Sequence, residues 1–183
     1  MGKVYPEIDE SIRAFIEAQP VFFVGSAPLD RAGHVNVSPK GLDTLRILGP
    51  TTIAYLDLTG SGIETVSHLK ENGRIVLMFC AFQGPPKIIR LHGQGRVVEC
   101  GTPEFAELKQ HFPQHDGTRS IIVVEICRIS DSCGFGVPLL EFKSQRQQLP
   151  AWSRKLGAEG LKTYRKQRNE LSIDGRPAFG KDI

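Results

Sequence analysis

No CxxC pair, HExxH, GxSxG or GK[ST] motif occurs in the 183 residues, and no apolar run approaches the ~18 residues of a membrane-spanning helix. Each absence removes a class. The four cysteines, at 80, 100, 127 and 133, lack the spacing of a zinc site or a dithiol redox centre. His111 and His115 are four apart, but Pro113 between them argues against the helix that a two-histidine metal face needs. No metal site is expected, and hydrolase chemistry has no motif to rest on. The net charge of +3 is too small to argue for nucleic acid. The basic residues near the C-terminus (Arg154, Lys155, Lys162, Arg165, Lys166, Arg168) alternate with Glu159 and Glu170, as on a solvated helix face. The first ten residues hold no apolar stretch of signal-peptide length. A reducing, cytoplasmic setting is therefore expected, with no membrane partner. Cys80 and Cys127 lie in apolar runs and read as small buried hydrophobes.

What the sequence does hold is a succession of short β-type runs. A helix is predicted over 9–18, where Ile8, Ile12, Phe15 and Ile16 recur at helical spacing, Asp9 caps the start and Pro20 ends it. Runs 21–27 and 35–38 flank a turn containing Asp30 and Gly33, a hairpin pattern. A short strand over 44–48 stops at Gly49-Pro50, and 51–57 is a clear strand. The glycine-rich break Thr59-Gly60-Ser61-Gly62 leads into a helix over 63–71, which Asn72-Gly73 ends. Residues 74–80 (RIVLMFC) are almost wholly apolar, so both faces should be buried. Gly93 and Gly95 inside a long strand over 87–99 predict a bulge or a tight corner. A helix over 103–112 and a last long strand over 120–130 follow.

Strands joined by short turns favour a mainly β fold, an antiparallel barrel with flanking helices, over a doubly wound sheet. After residue 132 the texture changes to a glycine-rich stretch and then a helical one over 150–170. This tail is too poor in apolar residues for its own core. Residues 1–132 are expected to form the barrel domain, and 133–183 an arm packed on the barrel or on a partner subunit.

Three segments offer chemistry. In 55–65 (YLDLTGSGIET) a strand ends in a Gly/Ser/Thr loop before a helix. Backbone N–H groups there, beside Thr59, Ser61 and Thr65, suit a phosphate; an ordinary turn capped by Ser61 or Thr59 is the other reading. In 36–41 (NVSPKG), Lys40 stands at a strand end and supplies positive charge to a phosphate or a ring edge, unless it is simply a surface lysine after a turn. In 88–93 (IIRLHG), alternation puts Arg90 and His92 on one strand face, either toward solvent or along a polar cavity.

Taken together, VNVSPKG, then IAYLDLTGSGIETVSHLKENGRIVLMF, then PPKIIRLHGQGRVVE resemble the pyridoxamine 5'-phosphate oxidase-like, FMN-binding split-barrel family. The resemblance runs over about 12–130, and it lies in the order and spacing of the segments. SCGFGVPLLEF (132–142), Trp152 and SIDGRPAF (172–179) look like one branch of that family. The resemblance implies a split barrel, bound FMN, and a homodimer with the flavin site at the subunit interface. Its site residues would be Ser38, Lys40, Leu58, Thr59, Gly60, Ser61 and Thr65, with Arg90 on the pocket wall or toward substrate. Lys40, Ser61 and Thr65 would hold the phosphate, and Ser38 and Leu58 would border the ring or ribityl chain. The family's true oxidases carry a Ser-Arg-Lys-type signature at the phosphate turn. Here the turn reads Gly60-Ser61-Gly62-Ile63, with no basic residue, and no Arg-x-His-type substrate signature follows near the C-terminus. A flavin-dependent oxidoreductase acting on an unassigned small molecule is expected, rather than an oxidase of pyridoxamine phosphate. The alternatives are a non-catalytic flavin carrier or sensor, and a split-barrel module that binds haem or serves protein interaction.

Overall fold

The computed structural model describes residues 2–179. In chain order the elements are β1 (Val4–Tyr5), α1 (Glu10–Glu17), β2 (Phe22–Ser26), β3 (Asn36–Lys40), β4 (Leu45–Ile47), β5 (Thr52–Leu58), α2 (Glu64–Asn72), β6 (Arg74–Cys80), β7 (Ile88–Glu99), α3 (Pro103–Lys109), β8 (Thr118–Ser132) and α4 (Gln148–Arg168). The strands form one eight-stranded sheet in the order β3-β2-β6-β7-β8-β5-β4, with β1 added on β8. Every pairing is antiparallel. The two ends of that order, β3 and β4, do not pair with each other, so the sheet is a barrel left open along one seam. The expected antiparallel split barrel is the fold that forms.

Alternation along the strands builds the interior. Phe22 and Val24, Ile53 and Tyr55, Leu77 and Phe79, Ile89 and Leu91, and Ile122 and Val124 are all buried in one cluster. Ile12 and Ile16 of α1 and Val66 and Leu69 of α2 join it. Each such side chain contributes about 1.5–3 kcal/mol when fully buried. A second cluster lies on the outer face of β5 and β8, where Ala54, Leu56, Ile121 and Val123 pack with Phe112 and with Phe105 and Leu108 of α3. On β6 only one face is fully buried: Val76 and Met78, on the other, are partly exposed, so the expected burial of both faces is not met.

The caps follow the sequence at two places. The Asp9 carboxylate accepts from Ile12 N–H at 2.8 Å, and Gly73 adopts the left-handed conformation (φ 70°) with its N–H on Leu69 O at 3.0 Å. Gly93 sits at a β-bulge, where the register of β7 on β8 shifts. A Cβ there would stand 2.3 Å from Glu125 O. That bulge corrects the reading of Cys127. His92 pairs with Arg128 and Gly93 with Ile126, so Cys127 is the extra residue and is exposed; Cys80 is buried as expected.

β1 was not visible in the sequence. It is two residues long, too short for any periodicity, and is fixed to β8 by the Tyr5 hydroxyl donating to Asp131 at 2.6 Å. The long α4 breaks at Gly157 (φ 63°, ψ −177°), so it is two helical segments end to end. Its Leu161 is buried. Among the described residues no helix is long and apolar enough to cross a membrane.

Candidate functional site

Several of the sequence's candidate residues lie along the open seam. On β3, Asn36, Ser38 and Lys40 alternate with the exposed Val37 and Pro39. Their partners across the ladder are Ser26, Val24 and Phe22, all buried, so the three polar side chains share the barrel's inner face. They point inward along the edge strand, toward the end of β5 and the start of α2. Asn36 Nδ2 donates to Thr65 Oγ1 at 2.9 Å, and Ser38 Oγ donates to Asn36 Oδ1 at 3.3 Å. Lys40 lines a cavity of about 280 Å³ together with Leu56, Leu58, Thr59, Gly60 and Leu149 of α4. Among the described residues, no side chain or carbonyl takes a hydrogen bond from its ammonium group. Burial lowers the Lys40 pKa; Asp57 and Glu64 pull it back up, and Arg119 opposes them.

Behind the cavity lies a buried polar network. Asp57, at the inner end of β5, is 3% exposed and pairs with Arg119, 5% exposed, at 2.6 Å from Nε to Oδ2 and 3.2 Å from Nη2 to Oδ1. Ser120 Oγ donates to Asp57 at 3.0 Å. A bulge puts Arg119 there: Asp57 pairs with Ser120 and Leu58 with Thr118, so Arg119 is the extra residue, and it is turned inward. Burial raises the Asp57 pKa, but the adjacent guanidinium outweighs it and the net shift is downward.

The turn between β5 and α2 rests on this network. Arg119 Nη2 donates to Gly62 O at 2.9 Å. Asn169, at the end of α4, donates through Nδ2 to Gly60 O at 3.0 Å and stands 3.5 Å from Ser61 O. Every described peptide bond is trans, and in a trans peptide the C=O of one residue and the N–H of the next point in opposite directions. With the Gly60, Ser61 and Gly62 carbonyls turned toward Arg119 and Asn169, the N–H groups of Ser61, Gly62 and Ile63 point the other way. None of these three makes a backbone hydrogen bond among the described residues. α2 begins immediately after, capped by Ile63 with no side-chain cap, so neither Ser61 nor Thr59 caps it. A row of outward N–H groups continuous with an uncapped helix N-terminus is a concavity for an anion. One acidic group stands near it. The Glu64 carboxylate lies against Gly62 and accepts from Ile173 N–H at 3.3 Å.

The eight candidate residues thus separate. Ser38 and Thr65 both bond Asn36 at the seam, and Leu58 and Gly60 line the cavity beside Lys40. Ser61 is exposed on the turn. Thr59 is completely buried; its hydroxyl donates to Gly117 O at 2.8 Å and accepts from Arg165 Nε at 2.9 Å, so it braces the turn from behind. Arg90 is elsewhere, on the outer face of β7, where its guanidinium donates to Ser132 Oγ at 2.9 Å. Asn36, Asp57, Arg119 and Asn169 were not singled out in the sequence. Asn36 had a signal, since strand alternation places it with Ser38 and Lys40. Asp57 had one too, a carboxylate closing an apolar strand, which needs a buried partner. Asn169 had none.

A family model described as pyridoxamine 5'-phosphate oxidase matches residues 8–133. The pyridoxamine 5'-phosphate oxidase family protein ustO of Aspergillus flavus is 38% identical over 192 residues, spanning 96% of this chain and 77% of that one. Among solved structures, HupZ of Group A Streptococcus superposes with a TM-score of 0.52 at 21% identity, over 67% of this chain and 91% of that chain. An FAD-binding protein from Mesorhizobium loti gives 0.50 at 10% identity, over 72% and 96%. By the span of the family model and the closeness of the fungal relative, this chain belongs to the pyridoxamine 5'-phosphate oxidase family.

Proposed function

We propose that this protein binds FMN at the barrel seam and acts as a flavin-dependent oxidoreductase on a small molecule. The observation that carries this reading is the turn at 60–62. Its carbonyls are held from behind and, among the described residues, its N–H groups make no backbone hydrogen bond and the neighbouring Lys40 has no partner. The donor set fits a phosphate monoester: backbone N–H groups of 61–63 and of the first turn of α2, the Ser61 hydroxyl, and the Lys40 charge. Asn36, Ser38 and Thr65 form the polar wall of the same seam. Family membership and the Mesorhizobium loti FAD-binding protein of like fold support a flavin. The fit of this donor set to a single phosphate monoester is what favours FMN in this reading.

In this reading the chain's residues bind and orient. Lys40 neutralises the phosphate, and Leu56, Leu58 and Leu149 exclude water from the cavity beside it. The flavin, when bound, supplies the hydride or electron chemistry. No side chain in the seam is assigned as general acid or base.

The active form is proposed to be a homodimer with the flavin site at the subunit interface. Supporting this are Val37, 66% exposed on the edge strand, and Phe135 and Leu139, 81% and 78% exposed on the arm before α4. The visible spectrum of the purified protein, with identification of the released chromophore, tests the cofactor. FMN released in near one-to-one amount supports the reading. A colourless protein that takes up no added FMN overturns it.

A further inference from the structure

The turn of an FMN site with no basic residue in it must obtain its donor geometry from elsewhere, and the geometry points to α4 as the source. We infer that Asn169 is the positioning residue of the anion site: its side chain, locked on Arg119, holds the turn's carbonyls inward and so sets its N–H groups outward. This rests on the flavin-site reading above and goes beyond it, since it assigns phosphate selectivity to a helix outside the family-matched segment 8–133.

The amide of Asn169 has one orientation open to it. The side chain is 2% exposed, and Arg119 Nη1 lies 2.8 Å from its oxygen. A guanidinium only donates, so Oδ1 must face it, and Nδ2 is then left facing Gly60 O and Ser61 O. Arg119 is itself fixed by Asp57 through Nε and Nη2, and Nη2 also donates to Gly62 O. Asn169 is held at the helix end by its own N–H on Arg165 O at 2.7 Å. Arg165, one turn earlier, braces Thr59 and Thr118 O. Two side chains thus reach the three carbonyls of the turn, and one of the two belongs to α4. Breaking the Asn169 contacts frees the Gly60 and Ser61 peptides to rotate, and the row of N–H groups is lost with them.

The test compares FMN with riboflavin, which lacks the phosphate, in wild type and in Asn169→Asp and Asn169→Ala. Asn169→Asp keeps the acceptor for Arg119 and so keeps the buried guanidinium paired, but turns a carboxylate oxygen toward two carbonyls. The expected result is a loss of FMN affinity of roughly tenfold or more with riboflavin affinity unchanged. Equal loss for both flavins, or an unchanged preference for FMN, overturns the inference. An arm without flavin separates this from failure of the cofactor reading. Inorganic phosphate should raise the melting temperature of wild type and leave Asn169→Asp unmoved; an equal response of the two, including none, overturns it. If neither variant folds, amide chemical shifts of wild type decide. Phosphate should move the 61–63 N–H signals and the Asn169 side-chain amide together, and movement of the turn without Asn169 counts against the inference.

Discussion

Arg119 meets Asp57 edge-on inside the barrel, with Nε 2.6 Å from Oδ2 and Nη2 3.2 Å from Oδ1, and almost no solvent reaches either side chain. The pair joins β5 to the bulge at the start of β8, and the second side of the guanidinium reaches the turn and α4. Removing one member strands the other. Arg119→Met should therefore destabilise by about 3–5 kcal/mol, the range for an uncompensated buried charge. Equilibrium urea unfolding measures it, and a loss under about 1 kcal/mol would mean that water reaches Asp57.

The same pair sets an acid limit. The Asp57 pKa is lowered in the folded state, because Arg119 outweighs the burial that raises it. A carboxylate with a depressed folded pKa contributes stability that is complete above its unfolded value, near ~4, and is lost as pH falls through the lower folded value. Unfolding free energy should be flat in this respect from neutral pH to about 5 and fall below about 4. Asp57→Asn, weaker at neutral pH, should show a smaller fall over the acid range when the two are compared by denaturant melts at matched ionic strength.

Tyr5 gives a spectroscopic signature of the N-terminal strand. Its hydroxyl donates to Asp131, and that bond first, then burial, pushes its pKa up to about 12. A phenol with a raised folded pKa contributes stability present below its unfolded value near ~10 and lost as pH rises through the folded one. The tyrosinate absorbance near pH 12 should diminish in Tyr5→Phe. The variant should lose about 0.5–1.5 kcal/mol at neutral pH, the net value of one hydrogen bond. Loss of absorbance at pH 10 instead would show that the Tyr5–Asp131 contact does not hold.

What was legible in the sequence was whatever depends on near neighbours. The cap at Asp9, the left-handed Gly73, the bulge at Gly93 and the hairpin of β2 and β3 all follow from residue types within a few positions. The contact between Asn36 and Thr65 could not be read locally, since 29 residues separate the two. Cys127 and Arg119 mark the limit of alternation. Both are bulge residues, and one inserted residue reverses the face of a side chain. Asn169 was out of reach, because its role depends on a helix docking on a turn 108 and 109 residues earlier in the chain.

Val37 tests the proposed homodimer. It stands 66% exposed on the outer face of edge strand β3, directly opposite Gly25 on β2. An apolar side chain on an open edge is a place for a partner. Val37→Lys should leave the monomer's stability within about 0.5 kcal/mol, as for surface substitutions, while shifting sedimentation toward the monomer. A dimer that persists with wild-type affinity would place the interface elsewhere.

Lys40 and Glu64 should act with opposite sign on the proposed anion site, and that opposition is its sharpest electrostatic test. Lys40 has no partner among the described residues, whereas Glu64 lies against Gly62, in the turn itself. A charged hydrogen bond contributes about 1.5–3 kcal/mol, so Lys40→Ala should weaken FMN by about tenfold to a hundredfold. Ser61→Ala, losing one neutral bond of about 1 kcal/mol, should cost roughly fivefold. Glu64→Gln removes a repulsive charge near the phosphate and should tighten FMN severalfold, more at low salt than at high. Riboflavin affinity should respond to none of the three. Fluorescence titrations of both flavins across this set fix the site: if Lys40→Ala and Ser61→Ala leave FMN affinity unchanged, the phosphate does not sit at this turn, whatever the barrel binds elsewhere.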